Sequence, residues 1–151
     1  MDSSIKYEFD WDEETGVTIC HINYKGLDIT GKAQCMEKDF DMKNRRTGET
    51  IASVRACIKL HKHMRDNEIK PAKRALAHIV GCLAQGKRRN EDSYEREFIE
   101  KALLKYEEEL IMINEIIEQE KEYLKKFMEA KAEFYKTIRE NRTKDQMVKG
   151  E

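Results

Sequence analysis

Residues 93–149 contain neither Pro nor Gly, and apolar side chains recur every three to four positions. Written as heptads, the a positions hold Leu103, Leu110, Ile117, Leu124, Lys131 and Ile138. The d positions hold Ile99, Tyr106, Ile113, Glu120, Phe127 and Phe134. An apolar pair repeating at this spacing makes a helix with one seam. It predicts a single helix over residues 93–141, roughly 70 Å long at 1.5 Å per residue. A seam of that length has to be covered, so a second long helix is required. Residues 142–151 are polar and are expected to fray.

The second helix is predicted over residues 48–85. Val54, Ile58, His61, Arg65, Ile69, Ala72, Leu76, Ile79, Val80 and Leu83 fall with Ile51 on one arc of about 100°. The arc survives Pro71, which either kinks this helix or breaks it. Gly86 is the expected stop, and a turn near residue 89 folds the two helices into an antiparallel, coiled-coil-like hairpin. In that hairpin residue i faces roughly 178 minus i. Arg65 is thereby set near Ile113, Asn114 and Glu115.

Ahead of the helices the period changes to two. Ile5, Tyr7, Phe9 and Trp11 alternate with charged residues. Residues 12–16 make a loop, residues 17–24 a second strand and Lys25-Gly26 a tight turn. In the third strand Leu27, Ile29, Gly31, Ala33 and Cys35 oppose Asp28, Thr30, Lys32 and Gln34. This is a three-stranded antiparallel meander with one wet face, too small to stand without packing on something. The expected fold is α+β, a meander packed on a long antiparallel helical hairpin. Residues 1–46 form the meander and loop, 47–141 the hairpin and 142–151 a tail, as one folded unit.

Charged residues make up 39% of the chain at a net charge of only −1. That balance conceals blocks of −6, +10 and −5 over residues 1–42, 43–89 and 90–151. In the basic block Arg55, Lys59, Lys62, Lys70 and Lys73 form a stripe that could follow a nucleic-acid backbone. The favoured reading is pairing within the hairpin, against Glu107, Glu108, Glu115, Glu118 and Glu122. A second basic site lies at the expected helix start. There the favoured reading is an ordinary capped loop, with Arg45 and Arg46 answering Asp39 and Asp41. The alternative is that Arg45, Arg46, Thr47 and Gly48 form an anion trap that sequesters a nucleotide signal in an oligomer, with Trp11 as a stacking surface for its base. Lys87, Arg88 and Arg89 make an exposed cluster at the hairpin tip.

The last helix carries more apolar surface than one seam uses. Phe98, Ile116 and Tyr123 form a second ridge, and Leu104 and Ile111 lie on the far side. The sheet is expected to cover one ridge and another subunit or partner protein the other, which predicts a homo-oligomer.

The first residues lack the basic and apolar regions of a secretory signal. The longest uncharged run, residues 75–86, is too short to span a bilayer, so a cytoplasmic location without membrane contact is expected. Cys20, Cys35, Cys57 and Cys82 form no C-x-x-C pair and are read as buried thiols. Asp10-x-Asp12 and Asp39-x-Asp41 have the spacing of cation ligands, but such pairs are common by chance and neither is favoured. No nucleophile elbow, phosphate loop or dinucleotide fingerprint occurs, so neither a catalytic residue nor a metal or other cofactor is expected.

Two stretches carry a resemblance: YKGLDITGKAQC at residues 24–35, and RTGETIASVRACIKLHKHMRDNEIKPA at residues 46–72. With the Glu/Lys-rich final helix they resemble a group of accessory proteins of phages and prophages of Gram-positive bacteria. The resemblance implies a viral protein acting in the cytoplasm of an infected cell. It brings no site residues. Small phage proteins without enzyme motifs are often inhibitors of host defence, an analogy that makes a host bacterial protein the expected partner.

Overall fold

A computed structural model describes residues 5–35, 44–85 and 92–149. Strands β1 (Tyr7–Asp12), β2 (Val17–Tyr24) and β3 (Leu27–Gln34) form one antiparallel sheet in the order β1-β2-β3. Phe9 faces Cys20, which in turn faces Gly31, so the expected alternation holds across all three strands. Lys25 and Gly26 both adopt positive φ, 49° and 84°, as a two-residue turn between twisted strands requires. At the other end the Asp12 carboxylate accepts the Glu14 N–H at 3.0 Å, and Gly16 at φ 68° returns its N–H to the Asp12 carbonyl at 2.8 Å.

Helix α1 (Arg45–Met64) passes through a π-helical turn, Arg65–Ile69, into α2 (Lys70–Gln85). Pro71 therefore does not break the helix. A proline has no N–H to give and its ring presses on the carbonyl four residues back. Widening the preceding turn relieves that pressure: the Lys70 N–H reaches the Arg65 carbonyl, five residues back. α1 starts three residues earlier than expected because the Asn44 side chain caps it, accepting the Arg46 and Thr47 N–H groups at 2.9 and 3.3 Å. Helix α3 (Asp92–Lys149) continues well past residue 141. Once nucleated, a helix adds one hydrogen bond per residue, and nothing before Gly150 interrupts it.

Contacts divide the chain into two compact units, one of Met1–Lys59 with Gln119–Glu151 and the other of Leu60–Glu118. In the first, the inner face of the sheet, with Thr18, Cys20, Ile22, Gly31 and Ala33 buried, meets Ile51, Ala52 and Ala56 of α1. Gly31 sets the separation: a Cβ there would run into the Ala52 carbonyl and the Ala56 amide. From the same helix Arg55 donates to the Lys32 carbonyl at 2.7 Å, with its other nitrogen 3.6 Å from the Met128 sulfur. In the second unit Ile113 and Ile117 of α3 are buried. Arg65 donates to Asn114 at 3.0 Å and Lys73 lies 3.7 Å from Glu107, the antiparallel register expected of the hairpin.

Candidate binding surfaces

At the start of α1 most of the groups expected to receive an anion already have partners. The Arg46 and Thr47 amides go to Asn44, and the Arg45 guanidinium pairs with Glu49 at 2.9 Å. Gly48 faces the sheet, where a Cβ would meet the Thr18 hydroxyl and approach the Trp11 ring. Trp11 is thus half-buried beside the helix. Thr18 is fully buried, and its hydroxyl has no hydrogen-bond partner.

Most of the basic stripe is likewise engaged. Arg55 holds β3, Lys70 lies 3.3 Å from Asp66, and Lys73 lies near Glu107. Lys59 is exposed and Lys62 half-buried. Asp66 also accepts the Arg65 guanidinium at 2.8 Å, which draws its pKa down to about 2.

The apolar ridges of α3 remain open to solvent. Phe98 is 69% exposed, Leu104 59%, Ile111 62% and Tyr123 53%, with Met112 beside them; Ile116 is half-buried. The expectation that the sheet covers one ridge is not met, because the inner face of the meander is taken up by α1.

The wet face of the sheet holds a cluster that sequence reasoning missed. His21 Nε2 lies 2.7 Å from Asp10 and Nδ1 lies 3.1 Å from Asp28, so one imidazole links all three strands. The two carboxylates accept from both ring nitrogens and raise the His21 pKa above its ordinary value. The groove around it, about 550 Å³, is lined also by Lys6, Glu8 and Asn23. The register itself was the available signal: Asp10 and Asp28 sit diagonally across from His21, two residues from its direct partners Glu8 and Thr30.

All four cysteines are free. Burial pushes the Cys20 thiol up to about 11 and also raises Cys57, whose sulfur lies 3.3 Å from the Tyr7 hydroxyl. The expected burial holds for Cys20 alone: Cys35 and Cys57 are half-buried, and Cys82 is exposed, 3.6 Å from His78 one turn earlier. Among the described residues no group of three or more His, Cys, Asp or Glu is placed to hold a metal ion. Nor is any helix among them long and apolar enough to cross a membrane. Asp39, Asp41, Gly86 and the Lys87, Arg88, Arg89 cluster lie outside the described residues. No protein-family model, curated protein or solved structure matches the chain.

Proposed function

We propose that this chain is a non-enzymatic, phage-encoded binding protein that inhibits a host bacterial protein through contacts on α3, and that it self-associates through the same helix. The observation that carries the reading is the exposure of Phe98, Leu104 and Ile111, large apolar side chains that a solvated helix does not need. The engagement of Arg55, Lys70 and Lys73 within the fold supports it over nucleic-acid binding. The occupied amides at the α1 start support it over an anionic nucleotide bound there.

The test is affinity capture from a host lysate with the native chain and with Leu104→Glu and Ile111→Glu, each checked by light scattering. A host protein retained by the native chain and lost from a variant of unchanged oligomeric state supports the proposal. Equal retention by all three chains, or retention by none, counts against it.

A further inference from the structure

A groove lies beside the α1 start. It is an open depression of about 440 Å³, where the first turn of α1 meets the last third of α3 within one compact unit. Phe127, Phe134 and Ile138 supply its apolar wall, with Phe134 60% exposed. The polar part comes from Lys131, Asn44 and Thr47. That size suits a small molecule.

The chemistry of the wall is one-sided. The Lys131 ammonium stands 5.7 Å from the centre of the Tyr135 ring, and both residues line the groove. The Asn44 carbonyl oxygen is committed to capping α1, so that side chain has its NH2 left to offer, a donor. Thr47 adds a hydroxyl. Among the described residues no carboxylate lines the groove. At about 100° per residue, Glu129, Glu133 and Glu140 fall on the opposite side of α3. A cation and two donors thus adjoin two phenylalanine rings, and the Phe134 and Tyr135 rings tilt at 48° with centres 6.0 Å apart. A flat ring can lie against such faces while its acidic group meets Lys131.

We infer that this groove binds a small aromatic anion, its ring on Phe127 and Phe134 and its negative group on Lys131. The site is separate from the ridge assigned to protein contacts, and it stands or falls without that assignment. Anilinonaphthalene sulfonate, an aromatic anion whose fluorescence rises on binding, is the probe. The native chain is expected to bind it saturably, and its sulfonate-free parent amine about tenfold more weakly, the worth of one charge-assisted contact. Lys131→Gln should abolish that difference and Lys131→Arg retain it. Phe134→Ala should weaken both compounds, while Lys136→Gln, which removes an exposed lysine from the opposite side of α3, changes neither. Circular dichroism verifies that each variant keeps its helices. Absence of saturable binding, an unchanged preference for the sulfonate in Lys131→Gln, or equal weakening by Lys136→Gln would each overturn the inference.

Discussion

Gly31 and His21 do opposite work on the two faces of one sheet. On the inner face, the missing side chain of Gly31 lets the backbone of α1 come into contact with β3. Gly31→Ala would force a methyl into the Ala52 carbonyl and Ala56 amide, groups that a helix cannot move aside. The expected loss is about 2–3 kcal/mol, in the upper range for overpacking, read from the midpoint of urea unfolding. A loss below about 0.5 kcal/mol, the scale of an ordinary surface change, would show that the helix can shift. On the outer face, His21 is protonated most readily in the folded chain, because Asp10 and Asp28 accept from its two nitrogens. A pKa raised by folding adds stability that is fully present below the unfolded value, 6.5, and is lost as pH rises through the higher folded value. Thermal midpoints of the native chain should therefore fall, relative to His21→Gln, as pH is raised from 6.5. Parallel profiles for the two proteins would rule the effect out.

At the scale of elements, the helical and strand periods were readable because each repeats over enough residues to average out exceptions. The meander, the Lys25-Gly26 turn and the antiparallel register of Arg65 with Asn114 follow from spacing alone. The boundaries were less legible. Asn44 caps α1 and shifts its start from residue 48 to Arg45, a local hydrogen bond that periodicity does not report. Pro71 was legible as a disturbance, yet its resolution as a π turn depends on how the upstream carbonyls find new donors. Pro71→Ala restores an N–H and removes the ring from that turn. It should raise stability by about 1 kcal/mol, less than the roughly 3 kcal/mol between Pro and Ala in a regular helix, because the π turn has already relieved the clash. Unfolding followed by circular dichroism measures this. A lower midpoint for the variant would show that the turn depends on the proline.

For the whole molecule, the open question raised by the fold is what covers α3. Exposed Phe98, Leu104 and Ile111 lead to the expectation that light scattering at micromolar concentration returns a mass above that of one chain, lowered by Ile111→Glu. A single-chain mass for the native protein would refute self-association. The candidate sites illustrate what a sequence can carry. Surplus apolar positions on α3 could be counted from the heptads, because a helix shows its faces in its period. The groove at Lys131 could not, because it needs the start of α1 beside a helix segment more than eighty residues away. The charge blocks were visible in the order of residues, but whether Arg55 meets a phosphate or the Lys32 carbonyl depended on packing. The α+β class, the meander, the hairpin register and the apolar surplus all follow from local period and turn chemistry, which the order of residues carries directly. Which basic groups are engaged, that His21 joins three strands, and that a groove opens beside Lys131 came from packing, since each requires side chains distant along the chain to meet.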